Sequence, residues 1–318
     1  METIVNFLRL TAEEREAFQA AAPGQEQLFR PVDTQNKSAE TASPQELERA
    51  TVIIGCVSPK ALAGCPRLKW LQTWSAGVDP YLAPGVLPQG CMLTSAVGGY
   101  GPAVSEHMLA TALAVMKGLP ILRDNQRAHR REKIGQVKSF LGATVLLLGV
   151  GDIGSHFAQK AKALGAYTIG LSRRPERIIP GVDELHPFDQ LDQWLPQADL
   201  VAMSLPETPE TVGLMDRRRL GLMGEGAILI NAGRGSAVDG LALAEALRAG
   251  RLWGAALDVT KPEPLPEEHP LWDCPNLLLT PHTAGGDRME VTRRRIAAIA
   301  LENLGRYLAG EELRNRMR

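Results

Sequence analysis

Cysteine is scarce in this 318-residue chain: Cys56, Cys65, Cys91 and Cys274 lie scattered, without CxxC spacing. Neither a disulfide framework nor a cysteine-based metal cluster is expected, and a reducing cytoplasm is the simplest location. No sign of charge prevails. Lysine and arginine number 35 against 36 acids, a net charge of −1, so there is no basic excess to meet nucleic-acid phosphates or a membrane surface. Long apolar runs are absent too. The longest, residues 145–150 interrupted by Gly149, falls far short of the ~20 residues a membrane helix needs. Residues 1–6 have neither a basic start nor a sustained apolar stretch, so no signal peptide is expected. Aromatics are few at 5%, whereas 31 glycines and 22 prolines make turns and close backbone approaches frequent. No internal repeat or low-complexity segment is present.

What remains is an ordinary globular composition, 44% apolar and 22% charged, long enough for two domains at ~150 residues each. From Gly142 onward, short apolar runs at 144–148, 167–171, 200–205, 227–230, 254–259 and 277–280 alternate with helical stretches such as 155–164 and 239–249. Buried strands separated by helices predict a parallel sheet covered on both faces. The first hundred residues alternate more weakly, with strand candidates at 51–55, 70–73 and 92–94, and suggest a smaller α/β unit. Residues 102–117 read as a helix apolar nearly all round, which requires burial on every side, by a domain junction or a subunit interface. Residues 289–308 read as an amphipathic helix with a solvated charged face.

The segment Gly149-Val150-Gly151-Asp152-Ile153-Gly154 fits G-x-G-x-x-G. It follows a strand directly and opens a helix, the context in which glycines let a helix N-terminus meet a pyrophosphate. At the end of the next strand an acid would hold the ribose hydroxyls of NAD. Here the chain reads Leu171-Ser172-Arg173-Arg174. A hydroxyl and two guanidiniums favour a 2′-phosphate, hence NADP(H) over NAD(H), although NAD(H) remains possible. The bland alternative is that both arginines sit in solvent.

Three later segments carry reactive residue types beyond strands, where ligands of open α/β sheets bind. They are Asn231-Ala232-Gly233-Arg234-Gly235, then Leu257-Asp258-Val259-Thr260-Lys261-Pro262-Glu263-Pro264, and Thr280-Pro281-His282-Thr283-Ala284. Of six histidines, His282 alone has this strand-end position. His107 falls in the apolar helix, His156 in the helix after the glycine turn, His129 in a basic stretch, and His186 and His269 in proline-flanked segments.

With Ser75-Ala76-Gly77-Val78-Asp79, Ala103-Val104-Ser105-Glu106-His107 and Leu205-Pro206-Glu207-Thr208-Pro209-Glu210-Thr211, these motifs form an ordered set. From about Leu68 to the C-terminal helix the chain resembles the D-isomer-specific 2-hydroxyacid dehydrogenases, closest in look to NADP-dependent glyoxylate/hydroxypyruvate reductases. The resemblance implies that Arg234 binds the carboxylate and carbonyl oxygen of a 2-oxo acid. It implies that His282 protonates that oxygen as hydride arrives from the nicotinamide. Glu263 would pair with His282, orienting the ring and favouring its protonated form. Ser75, Ala76 and Gly77 would hold the substrate carboxylate, mainly by backbone N–H groups. Ala232, Gly233 and Asp258 would hold the nicotinamide carboxamide, with a turn-forming role as the alternative for Asp258. Leu205, Pro206 and Thr211 would line the cofactor's edge. Asp287 stands where the family often has Thr, and Thr260-Lys261 replaces a commonly aromatic-acidic pair; both bear on pocket shape. Tyr100 is either a substrate-side contact or a plain loop aromatic.

The expected architecture is α/β: a Rossmann dinucleotide-binding domain (101–283) inserted into a flavodoxin-like substrate domain (1–100 and 284–318), both with doubly wound parallel sheets. The active cleft is expected between them, and a homodimer is expected from the 102–117 helix. The expected reaction is reduction of a small 2-oxo acid by NADPH to the D-2-hydroxy acid, with no metal, nucleic acid or membrane involved. The competing readings are an NAD-linked dehydrogenase, possibly of a phosphorylated hydroxy acid, and a dinucleotide-sensing regulator on the same fold.

Overall fold

The computed structural model describes residues 1–30, 42–135, 137–286 and 289–318; Asp287 therefore lies outside the described residues. The chain divides into two compact units, Met1–Tyr100 with Asp287–Arg318, and Gly101–Gly286. The return crossing falls slightly beyond the 283/284 boundary expected from sequence.

Among the described residues the first unit forms a five-stranded, all-parallel sheet of β1 (Thr3–Asn6), β2 (Glu26–Phe29), β3 (Val52–Ile54), β4 (Trp70–Gln72) and β5 (Met92–Thr94). Its order, β2-β1-β3-β4-β5, is the flavodoxin-like doubly wound arrangement. The central strands are short and wholly buried, as Val52, Ile53 and Ile54 show. Both faces of such a sheet are covered, so its strands carry no polar alternation. The helix Ala12–Ala21 starts at a capping box in which Thr11 and Glu14 satisfy each other's backbone N–H groups. One face of the sheet is closed by the last helix, Glu290–Ala309, which places Ile296, Ala300 and Leu304 in a core with Ile4, Phe18 and Trp70. Trp70 stacks on Tyr307 with centroids 5.1 Å apart. The charged side of this helix is less solvated than its pattern suggests. Arg293 is mostly covered and pairs with Glu14, and Arg295 donates to the Gly98 carbonyl. Long arginine side chains can lie along apolar surface while their heads find acceptors.

The second unit carries β6 (Thr144–Leu148), β7 (Tyr167–Ser172), β8 (Glu184–Pro187), β9 (Leu200–Met203), β10 (Ile228–Asn231), β11 (Gly254–Leu257) and β12 (Leu277–Leu279). They form a parallel seven-stranded sheet, β12-β11-β10-β9-β6-β7-β8. The direction of winding reverses between β6 and β9, the switch point at which dinucleotides bind in Rossmann sheets. The helix Gly101–Met116 packs one side against the helix Asp152–Ala163 and strands β10 and β11. Within the single chain, Leu109 and Leu113 are half-buried, and Glu106 and Ala110 are exposed, the side on which the expected subunit interface would have to lie. Small residues such as Ala103 and Ala112 supply the close packing without wrapping the helix all round. Among the described residues, no helix is long and apolar enough to cross a membrane.

Candidate active site

The glycine turn comes first in the chain. Gly149 sits at φ +94°, a backbone region open to glycine. A Cβ on Gly154 would lie 2.0 Å from the Gly149 carbonyl oxygen, so only glycine lets the helix close onto the strand. A Cβ on Gly151 would meet nothing within 4 Å. That open space lies at the N-cap of the Asp152–Ala163 helix, where the first N–H groups of a helix lack intrahelical acceptors and room for an anion such as a pyrophosphate is left. Asp152, the acid inside the motif, is directed elsewhere: its Oδ2 accepts the Gly101 N–H at 2.6 Å.

β7 pairs with β6, Leu171 opposite Leu148, so Ser172, Arg173 and Arg174 emerge beside the glycine turn. Ser172 Oγ accepts the Arg174 N–H at 3.0 Å, and both arginines are exposed. Glu210 is close enough to feel Arg173. The Thr208 hydroxyl, foremost, and the Arg173 charge hold its carboxyl below the usual range. Leu205 packs over Gly149, and Gly233 approaches so closely that a Cβ there would be 2.7 Å from the Leu205 backbone. The buried Thr211 hydroxyl donates to the Pro206 carbonyl at 2.7 Å and accepts the Thr208 N–H at 2.8 Å. Thr211 thus pins the loop that carries Leu205 and Pro206.

The carboxyl ends of β10, β11 and β12 are neighbours, with Asn231 opposite Leu257 and Leu257 opposite Leu279. Buried Asn231 ties down the Arg234 turn, accepting the Gly233 N–H at 3.0 Å and donating to the Arg234 carbonyl at 2.9 Å. Arg234 itself is half-buried. A Cβ on Gly235 would be 2.0 Å from the Thr260 carbonyl, so the Arg234 turn lies against the segment leading to Glu263. His282 Nδ1 and Glu263 Oε1 are 2.8 Å apart, with both side chains open to solvent. His282 sits at φ +50°, a conformation costing a non-glycine residue ~1 kcal/mol. It is held there by its N–H, which donates to the carbonyls of Asp258 at 2.8 Å and Thr280 at 3.0 Å.

Asp258 is 5% exposed. Its carboxylate accepts the Thr280 hydroxyl at 2.6 Å, the Thr283 N–H at 2.8 Å and the Ala284 N–H at 3.0 Å. These bonds make it the organiser of the His282 turn. His107 was placed in an interface helix on pattern alone, yet it reaches this cluster, with Nε2 3.1 Å from the Thr280 hydroxyl. The signal was present in the Ala103–His107 motif, but helical apolarity masked it.

In the first unit, Ser75 Oγ donates to the Gly77 carbonyl at 2.6 Å, and Tyr100 donates to the Trp74 carbonyl at 2.6 Å. Tyr100 thereby anchors the loop that presents Ala76 and Gly77. Among the described residues no group of His, Cys, Asp and Glu could hold a metal ion.

Residues 109–284 match the family model for the NAD-binding domain of D-isomer specific 2-hydroxyacid dehydrogenases. The chain belongs to that family. A glyoxylate reductase of Thermofilum pendens is 34% identical over 264 residues, covering 80% of this chain and 76% of its own. A solved D-isomer specific 2-hydroxyacid dehydrogenase family protein of Aeromonas salmonicida superposes with TM-score 0.83 at 31% identity, covering 100% and 99% of the two chains. A second, from Xanthobacter autotrophicus in complex with NADPH and MES, gives 0.79 at 31% identity over 100% and 98%. As a D-isomer-specific 2-hydroxyacid dehydrogenase family member, the protein is an NAD(P)-dependent oxidoreductase of small 2-oxo or 2-hydroxy acids.

Proposed function

We propose that the protein reduces a small 2-oxo acid to the D-2-hydroxy acid, with NADPH as the preferred reductant. The observation that carries this reading is the His282–Glu263 pair, 2.8 Å apart, at the same carboxyl end of the parallel sheet as the glycine turn. When bound, the dinucleotide supplies a hydride to the carbonyl carbon. Gly149, Gly151, Asp152, Ile153 and Gly154 would receive the pyrophosphate by backbone groups, and Ser172, Arg173 and Arg174 the 2′-phosphate. Leu205, Pro206, Thr211, Ala232 and Gly233 would border the cofactor.

With Glu263 ionised, His282 donates its Nδ1–H to that carboxylate, and Nε2 carries the proton delivered to the carbonyl oxygen. Glu263, as the hydrogen-bond partner of Nδ1, fixes the ring plane. Arg234 holds carboxylate and carbonyl oxygen with a planar fork that stays charged throughout. Ala76 and Gly77 would add backbone N–H donors to the substrate carboxylate, with Ser75 bracing their loop.

One observation favours a second reading in which NADH also serves: both Arg173 and Arg174 are exposed. The test of both is the same. Oxidation of NADPH and NADH is followed by ultraviolet absorbance with glyoxylate, hydroxypyruvate, pyruvate and bulkier 2-oxo acids. The expected result is turnover of at least one small acid, with kcat/KM about tenfold or more higher for NADPH, the ratio of one well-placed charge-assisted bond. Clear preference for NADH would overturn the cofactor assignment, and no turnover with any acid would favour the sensing role.

A further inference from the structure

A hydrogen-bonded chain runs from the Gly101–Met116 helix to the turn that bears His282. His107 Nε2 lies 3.1 Å from Thr280 Oγ1, and that hydroxyl donates to Asp258 Oδ1 at 2.6 Å. A threonine hydroxyl has one hydrogen. With it committed to the carboxylate, the oxygen must accept from His107 Nε2–H. His107 Nε2 is 3.9 Å from Asp258 Oδ1, beyond hydrogen-bond range, so histidine and carboxylate communicate through Thr280. The Asp258 carboxylate continues the chain to the Thr283 and Ala284 N–H groups, and the Asp258 carbonyl receives the His282 N–H at 2.8 Å.

We propose that His107 is a positioning residue for the reaction: by orienting the Thr280 hydroxyl it completes the Asp258 clamp that holds His282 in its left-handed conformation. Asp258 is buried, where hydrogen bonds strengthen one another and a missing donor is felt by the rest. A turn relaxed by a fraction of an ångström would displace Nε2 of His282 from a geometry to which rates are steeply sensitive. His107 itself touches no reacting atom in this scheme. The proposal rests on His282 as the proton donor.

The test is a double-mutant cycle of His107→Phe and Thr280→Val, with His107→Gln and Thr280→Ser as conservative rescues. Each is assayed with NADPH and the 2-oxo acid turned over fastest, and by amide hydrogen exchange of residues 280–284. Each disruptive single variant is expected to lower kcat about tenfold with KM nearly unchanged, the size of one buried hydrogen bond. The double variant should fall no further than the worse single one, and the rescues should restore most of the rate. Exchange at Thr283 and Ala284 should accelerate about tenfold in both disruptive variants on the same scale. Multiplicative losses in kcat, or exchange unchanged from wild type, would overturn the linkage. His107→Phe supplies the same reading should Thr280→Val fail to fold. Retained turnover in His282→Asn would instead overturn the proton-donor reading, while the exchange data would still decide whether the three groups are coupled.

Discussion

His282 combines two opposing demands. In the proposed role its ring must be open enough to meet a substrate, and its side chain is 54% exposed, yet its backbone is held in a region that non-glycine residues avoid. The bonds from Asp258 and Thr280 reconcile the two by moving the constraint from the ring to the turn. His282→Asn, which cannot donate the proton, should lower kcat by about 10²- to 10⁴-fold, with dinucleotide affinity retained. Glu263→Gln keeps a hydrogen-bond acceptor for Nδ1, so its loss in kcat should be smaller than that of His282→Asn. Steady-state kinetics and a dinucleotide titration check both. At this scale the sequence pointed to Arg234, Glu263 and His282 through their places beyond strands and the family resemblance, and the structure brings Glu263 and His282 within 2.8 Å of each other. The sequence was silent where the partner is distant along the chain. His107 and Thr280 are separated by 173 positions, and no local pattern ties an apolar helix to that hydroxyl.

The glycine turn shows how one motif divides its labour between strand, helix and ligand. Gly154 is demanded by packing, because a Cβ would meet the Gly149 carbonyl at 2.0 Å, whereas Gly151 opens onto empty space. The two alanine substitutions should therefore fail differently. Gly154→Ala should destabilise the fold by about 1–3 kcal/mol as an overpacked site. Gly151→Ala should leave thermal stability near wild type and weaken dinucleotide binding about tenfold or more, by obstructing the backbone approach. Melting curves and fluorescence titrations separate the outcomes. The short buried strands were legible to within a residue or two, since Val145–Leu148 or Leu200–Met203 are apolar throughout. β8 was missed because the edge strand Glu184–Pro187 is only half-buried and ends in proline. β1 and β2 were missed because Thr3–Asn6 and Glu26–Phe29 each join two polar residues to only two apolar ones, and so carry no continuous apolar run.

The first unit is assembled from two stretches of chain that the whole second unit separates. Glu14 near the start and Arg293 near the end meet there, the N-terminal helix against the C-terminal one. Burial pushes the Glu14 carboxyl up, but hydrogen bonds from Arg293 and Thr11 outweigh it and leave it below the usual range. A depressed carboxyl contributes stability above its unfolded value and loses that contribution as pH falls through the folded one. Glu14→Gln retains a side chain accepted in capping boxes while deleting the charge. It should lower stability by about 1 kcal/mol at neutral pH, and the difference from wild type should shrink below about pH 4.3. Denaturant unfolding across that range checks it. Length alone suggested two domains, and the motif order suggested insertion; how the terminal stretches clasp each other could not be read from sequence. The pairing partners lie at opposite ends of the chain, and the arginine belonged to a face that looked solvated.

This discontinuity has a consequence during synthesis. As the chain leaves the ribosome, β1 to β5 emerge early, with Ile4, Val52, Ile54 and Trp70 on the face destined for Ile296, Ala300 and Leu304. The covering helix appears only after every strand of the second sheet has been made. The unit begun first is thus completed last, and for the whole interval one face of its sheet has only part of its apolar cover, the kind of surface on which nascent chains recruit chaperones or aggregate.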